Sequence, residues 1–227
     1  MFFGFLLTEF TVCPRYFYRM KHVSKQEILK MDKIYRLNLV NSCTGYKSAN
    51  LIATRSSEGI ANVAIFSSVT HLGSNPPLLG FILRPTTVPR NTYQNIRSSG
   101  LFTVNHVGAA QIADAHHTSA KYPYEISEFD KTALEPEYKA AFDAPFVKNS
   151  AVQIGCRLVN EYPIEENGCS LLVASIEQLY FNEELVEKDG FLRLDRAQTI
   201  SVNGLDGYAL PQLLDRFEYA RPKQDGA

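Results

Sequence analysis

Residues Ser67–Thr92 read SSVTHLGSNPPLLGFILRPTTVPRNT. Hydroxyl side chains crowd both ends, and Pro76-Pro77 opens a wholly apolar run, Leu78–Leu83. A short apolar run bounded by prolines is the pattern of a buried strand. Ser67, Ser68 and Thr70 stand where the preceding apolar segment, Ile60–Phe66, ends, and Gly73-Ser74-Asn75 reads as a polar turn. Hydroxyls and free backbone N–H groups at a strand end suit an anion or a heteroaromatic edge. Beyond the strand, Arg84, Thr86, Thr87 and Arg90 lead into a predicted helix, Asn91–Ser99, started by the capping-box-like pair Asn91/Gln94 and stopped by Gly100. A helix N-terminus carries unsatisfied N–H donors and a partial positive charge. Arginines and threonines at such a place make a phosphate site; the same composition also serves a plain surface loop.

Working outward, LIATR–SSEG–IANVAIF (residues 51–66) has the form of a β-hairpin with Gly59 in the turn. Leu101–Val107 reads as a strand and Ala109–His117 as helical. Residues 118–150, rich in prolines and aromatics, read as loop with short helices. Ala151–Glu161 alternates Val152, Ile154, Cys156 and Leu158 on one face, Glu166-Asn167-Gly168 signals a turn, and Ser170–Phe181 reads as a long strand. Toward the N-terminus, Ser24 and Glu27 form a capping box for a short helix over 24–31, and Tyr35–Thr44 reads as extended. The segment after Gly190 has little periodicity, and the final RPKQDGA reads as a frayed tail. Many hairpin-linked strands with a few short helices, and no repeated strand–helix–strand alternation, predict a mainly β chain folded as a closed or nearly closed antiparallel barrel.

The 227 residues fit one domain with extensions, and 45% hydrophobic residues with 21% charged ones can bury a core. A net charge of −1 gives no footprint for nucleic acid or an anionic membrane. The cysteines Cys13, Cys43, Cys156 and Cys169 include no C-x-x-C pair and no zinc-ligand spacing, which predicts free thiols and no metal site. Residues 1–19 contain the run Phe2–Leu7, too short for a bilayer crossing of about 20 residues, and they lack the basic start of a signal peptide. They read as an extension outside the fold, followed by a domain over 20–220 and a tail over 221–227. Glycine-rich nucleotide loops, a G-x-S-x-G elbow and H-E-x-x-H are all missing from the sequence. Adjacent His116 and His117 on a helix point about 100° apart and cannot easily share a metal; His117 is the one that reads as able to face a substrate or cofactor.

The ordered series Asn62, Ser67-Ser68, Pro76-Pro77, Arg84, Thr87, Thr92, Asn95-Ile96 and Gly100-x-Phe102-x-Val104-Asn105 resembles the flavin reductase-like, FMN-binding split-barrel family. AHHTSAKYPYEISEFDKTAL (residues 115–134) resembles a further segment of that family. The resemblance implies a split β-barrel of Greek-key type, a cytoplasmic homodimer, and FMN bound near the subunit interface. It places Ser67, Ser68, Val69 and Thr70 at the ring and ribityl chain and makes Asn62 a further cofactor-binding residue. It places Arg84, Thr87, Arg90 and Thr92 at the phosphate, with Ser119 and Tyr122 near the flavin. The implied activity is NAD(P)H-dependent flavin reduction, serving free flavin or a flavin-dependent partner enzyme, with neither nucleic acid nor membrane as partner. In such chemistry the cofactor carries the hydride and no catalytic side chain is required. Two other roles fit the same residues: an FMN electron carrier served by a protein partner, and a flavin-free ligand-binding dimer.

Overall fold

The computed structural model describes residues 19–139 and 142–222. Expectations for residues 1–18 and for 223–227 lie outside the described residues. The chain divides into two compact units, one ending at Leu37 and one beginning at Asn38. Two helices stand at the start, α1 (Lys25–Lys30) and α2 (Lys33–Cys43), and neither has a buried residue. The Ser24/Glu27 capping box of α1 is present. Extended structure over 35–44 is replaced by α2. Asp32 Oδ1 accepts the N–H groups of Ile34 at 2.9 Å and Tyr35 at 3.1 Å, supplying the N-terminal cap that starts the helix.

The strands are β1 (Lys47–Ser48), β2 (Asn50–Arg55), β3 (Ala61–Phe66), β4 (Thr70–Ser74), β5 (Pro77–Leu83), β6 (Leu101–His106), β7 (Pro136–Glu137), β8 (Phe146–Val147), β9 (Val152–Ile164), β10 (Cys169–Phe181), β11 (Ser201–Asn203) and β12 (Gly207–Ala209). Helix α3 (Asn91–Ser99) lies between β5 and β6, and α4 (Ile112–His117) follows β6. Seven strands form one antiparallel sheet in the order β3-β2-β6-β9-β10-β5-β4. Its two edge strands, β3 and β4, are consecutive in the chain and are joined only by Ser67–Val69. Four Cα steps reach about 13 Å. A flat seven-stranded sheet would separate its edges by about 29 Å at ~4.8 Å per strand. The sheet must therefore curl until its edges face each other, as a split antiparallel barrel whose edge strands remain unpaired.

Ser68 holds the link at that seam. Continuing the β4–β5 register from Thr70↔Gly80 by two residues sets Ser68 opposite Ile82. The serine hydroxyl accepts the Ile82 N–H and donates to the Ile82 carbonyl, both at 3.1 Å. One side chain thus does the work of a ladder pair.

Both faces of β2 are covered. Ile52 joins a barrel-side cluster with Phe81, Leu83, Ile96, Phe102, Val104 and Leu172, while Leu51 and Ala53 face a second cluster with Val63, Val107, Phe129 and Val147. Phe81 packs edge-on against Phe66 and Phe102, with centroids 5.3 and 5.4 Å apart. Gly100 at φ +71° ends α3, and Gly168, also at +71°, turns β9 into β10; both are positions where a side chain would be strained. The expected Gly73-Ser74-Asn75 turn is instead mostly strand, because β4 runs through Ser74 and reverses only at Asn75-Pro76. The region after Gly190 holds β11 and β12, which pair with each other and with β1 in a small sheet. Their signals, Asn203-Gly204 and Asp206-Gly207, are hairpin dipeptides that outweigh the weak periodicity. Farther on, Arg216 pairs with Glu187 and Asp189 and lies 3.9 Å over the Phe191 ring.

Replacing Ser68 with alanine leaves the Ile82 N–H and carbonyl without this partner. The expected loss is about 1–3 kcal/mol, read as a lower urea midpoint with an unchanged slope. A second expectation concerns His106, whose Nδ1 is buried with no partner among the described residues. Burial pushes this imidazole down to about 4. The unfolded chain takes up the proton near the ordinary value, ~6.5, so between the two the unfolded state binds more protons. Stability present above pH 6.5 is lost as pH falls toward 4, by on the order of 3 kcal/mol. Urea midpoints between pH 4 and 7 should show this slope in the wild type, and a shallower one in His106→Asn.

Candidate functional site

Strand β3 is an edge of the main sheet, and its outward backbone donors show where a ligand can attach. The Val63 N–H is taken by Glu128 Oε2 at 3.2 Å. The Ile65 N–H is taken by Thr118 Oγ1 at 2.9 Å, which docks the end of α4 on this edge. The next residue in that alternation is Ser67, and among the described residues neither its N–H nor its hydroxyl has a partner. The link Ser67–Val69 thus presents an open donor and an open hydroxyl directly after two satisfied ones. Ser68 is committed to Ile82. Val69 packs toward the barrel core, and its carbonyl accepts Ser48 Oγ at 3.4 Å. Thr70 begins β4 and is exposed. Next to Ser48 lies a mostly apolar recess of about 470 Å³ lined by Tyr46, Lys47, Ser201, Ala209, Leu210 and Pro211.

Arg84 follows Ile82 by two residues, so it leaves β5 about 7 Å along the chain from the residue that Ser68 clasps. It is exposed and has no hydrogen-bond or carboxylate partner among the described residues. Thr86 and Thr87 are exposed in the loop that follows. Arg90 closes that loop by donating Nε to the Pro85 carbonyl at 3.0 Å. It is also the N-cap of α3, and the helix lacks a side-chain cap. The expected Asn91/Gln94 capping box does not form: Gln94 N–H bonds to the Arg90 carbonyl, so Asn91 already lies inside the helix. The N–H groups of Asn91, Thr92 and Tyr93 precede the first intrahelical bond and are left as donors. With two cationic side chains nearby, this end of α3 is suited to a dianion.

Asn62 and Thr92, both named from the sequence as cofactor ligands, are 5% and 6% exposed. Their side chains bond to each other, Thr92 Oγ1 to Asn62 Oδ1 at 2.9 Å. Asn62 Nδ2 donates to Glu128 Oε2 at 2.6 Å, and Thr54 and Asn95 extend the chain of bonds. These side chains hold elements together, and Thr92 has its backbone N–H rather than its hydroxyl to offer. Burial pushes the Glu128 carboxyl above the usual carboxylate range, opposed by the donors it accepts from Val63 and Asn62. Glu128, Thr54 and Thr118 were missed by reading the chain in one dimension; Ser127, whose side chain caps the turn Glu128–Lys131, was the local signal.

Two expected residues sit in the segment after α4. Ser119 is exposed, and Tyr122 OH lies 2.6 Å from His117 Nε2. The adjacent His116 turns the other way, to Tyr208 OH at 2.9 Å. The divergence of the two histidines follows from helical geometry. Among the described residues no group of three His, Cys, Asp or Glu side chains is placed to hold a metal, and no helix is long and apolar enough to cross a membrane. Cys43, Cys156 and Cys169 are free thiols, and burial raises that of Cys156 far above the ordinary range.

The arrangement fits a ligand with a polar planar group at one end and a phosphate at the other. The link and the loop Arg84–Arg90 lie close on β5, while Thr92 bonds to Asn62 at the far end of β3. The span from Asn62 to Ser67 is about 16 Å of strand.

Known proteins share this fold. A split-barrel protein from Shewanella frigidimarina NCIMB 400, provisionally named a flavin reductase, is 42% identical, covers 88% of this chain and all of its own, and superposes with a TM-score of 0.86. Component B of nitrilotriacetate monooxygenase from Bacillus cereus is 22% identical over 89% of this chain and all of its own, with a TM-score of 0.75. An FMN-binding protein from Thermus thermophilus, solved with cyclohexenone bound, is 16% identical over 78% of this chain and 93% of its own, with a TM-score of 0.63. The pattern of the flavin reductase like domain matches residues 46–198, a stretch that contains the link, the Arg84–Arg90 loop, α3 and the Glu128 turn. With two thirds of its length inside that pattern and the open donors of the seam where the pattern runs, the chain belongs to the flavin reductase-like domain family.

Proposed function

We propose that the protein is an FMN-dependent NAD(P)H oxidoreductase, most simply a flavin reductase. One observation carries this reading: Arg84, without a partner among the described residues, and the uncapped first turn of α3 bound one loop, and the open Ser67 donor lies on the link that Ser68 clasps to the strand before that loop. A phosphate monoester satisfies the loop, and a heteroaromatic ring edge satisfies the link. Arg84, Arg90 and Thr87 hold the phosphate with the N–H groups of α3. Ser67 bonds the ring edge, Val69 and Thr70 border it, and Ser119 and Tyr122 close over it from the α4 side. Bound FMN supplies the hydride-accepting centre of the reaction with reduced nicotinamide.

The chain's own contribution is positioning. The Ser68–Ile82 clasp fixes the link to β5 and the Thr118–Ile65 bond fixes the end of α4 to β3, so binding requires little reordering. The recess lined by Tyr46 and Pro211 gives a second planar group an apolar surface beside the link. Family membership supports the flavin chemistry, and the monooxygenase component among the similar folds supports delivery of reduced flavin to a partner enzyme. A cytoplasmic homodimer is part of the same proposal.

Added FMN should bind with a change in its visible spectrum. Anaerobic NADH or NADPH should then bleach it within a few turnovers, whereas bleaching only by a reduced protein would assign an electron carrier, and failure to bind FMN would sink the reading. Arg84→Ala is expected to weaken FMN binding about ten- to hundredfold, the loss of one charge-assisted bond, measured by fluorescence titration. An unchanged affinity would move the phosphate away from Arg84.

A further inference from the structure

The chain of bonds under the N-terminus of α3 has a defined polarity. The Val63 N–H is a fixed donor, so Glu128 Oε2 accepts it, and with any acid proton on Oε1 that oxygen is an acceptor only. The second group on that oxygen, 2.6 Å away, is then the Asn62 amide nitrogen. This orients Asn62 with Oδ1 toward the helix. Two hydroxyls converge there as donors, Thr92 Oγ1 at 2.9 Å and Thr54 Oγ1 at 3.3 Å. Thr54 Oγ1, having given its proton, accepts Asn95 Nδ2 at 3.0 Å. Thr92 and Asn95 lie three residues apart on the buried face of α3. The helix is thus seated at its first turn and again at its second by side chains of β3 and β2, in an order dictated from Glu128. If the Asn62 amide were reversed, its NH2 would face the two hydroxyls and Oδ1 would face the acid. The Asn62 bonds to Glu128, Thr92 and Thr54 would each lose its partner or have to turn round.

We propose that Glu128 is a positioning residue for the flavin phosphate: acting through Asn62, it sets the seat of the α3 first turn, whose N–H groups receive the phosphate. Glu128 does not touch the ligand. The inference rests on the FMN reading above and adds to it a residue that lies outside the binding seam. A competing role for this acid is purely structural, capping the β3 edge at Val63. The two roles differ in which part of the flavin they affect.

Riboflavin is FMN without the phosphate, so the ratio of the two dissociation constants isolates the phosphate end. The ratio is measured by flavin fluorescence titration on the full chain for wild type, Glu128→Gln and Glu128→Ala, with circular dichroism to establish folding. Glutamine keeps a carbonyl acceptor in place and should hold the wild-type ratio to within about threefold. Alanine frees the Asn62 amide to turn and should cut the preference for FMN about tenfold or more, a change of one or two hydrogen bonds, while riboflavin affinity moves less than about threefold. If Glu128→Ala does not fold, Thr92→Val carries the test. It keeps the shape and backbone N–H of Thr92, removes the donor to Asn62, and should lower the FMN preference in the same sense. Equal losses for both flavins, or an unchanged ratio in a folded variant, would overturn the positioning role and leave the FMN reading intact. A wild-type protein with no preference for FMN over riboflavin would overturn the phosphate site itself, and this inference with it.

Discussion

Three residues join the two opposite edges of a seven-stranded sheet, and the rest of the structure follows from that short span. Ser67–Val69 reaches less than half the width of the sheet laid flat, so the sheet must curl. Curling gives β2 a covered face on each side and turns five of its six residues into core. It also leaves a seam, because β3 and β4 come together as edges without pairing. Unpaired edges are a hazard in β-proteins, since their free N–H and C=O groups invite other strands. Here the β3 edge is dressed with the Glu128 carboxylate and the Thr118 hydroxyl, and the link is clasped to β5 by Ser68. What remains open at Ser67 is a short interruption in an otherwise satisfied row.

The same seam separates two kinds of polar group. Buried polar groups cost free energy unless hydrogen-bonded, and the Glu128–Asn62–Thr92/Thr54–Asn95 series meets that demand while tying four elements together. Arg84 is on the surface without a partner among the described residues, and the first N–H groups of α3 precede the helix's own bonds, so the cationic end of the seam is suited to an anion. A rigid interior beside unsatisfied surface donors is the condition under which a cofactor binds without reordering the protein.

Much of this was legible in the chain. Leu78–Leu83 between prolines marked the buried strand β5, LIATR–SSEG–IANVAIF marked the β2–β3 hairpin, and the arginines before Asn91 marked a cationic helix start. Local patterns failed where a distant partner or a single side chain decided the outcome. Asp32 turned an extended-looking segment into α2 by capping it, and β11 is held between β12 and the distant β1. The ordered residue series mixed two kinds of residue. Asn62 and Thr92 stand in it beside Ser67 and Arg84, yet the first two face inward.

The sequence by itself determined the strands β2, β3, β5, β6, β9 and β10, the β2–β3 and β9–β10 hairpins and the chemical character of the two ends of the seam. Those depend on periodicity, turn residues and local charge, which are properties of neighbours in the chain. Only the tertiary structure decided which hydroxyls are free. Ser67 and Ser68 are adjacent and chemically identical, but continuing the register sets Ser68 opposite Ile82 and leaves Ser67 open. Likewise Glu128 and Asn62 are far apart in sequence, and their bond exists because the segment after α4 packs the turn at Glu128 against the β3 edge.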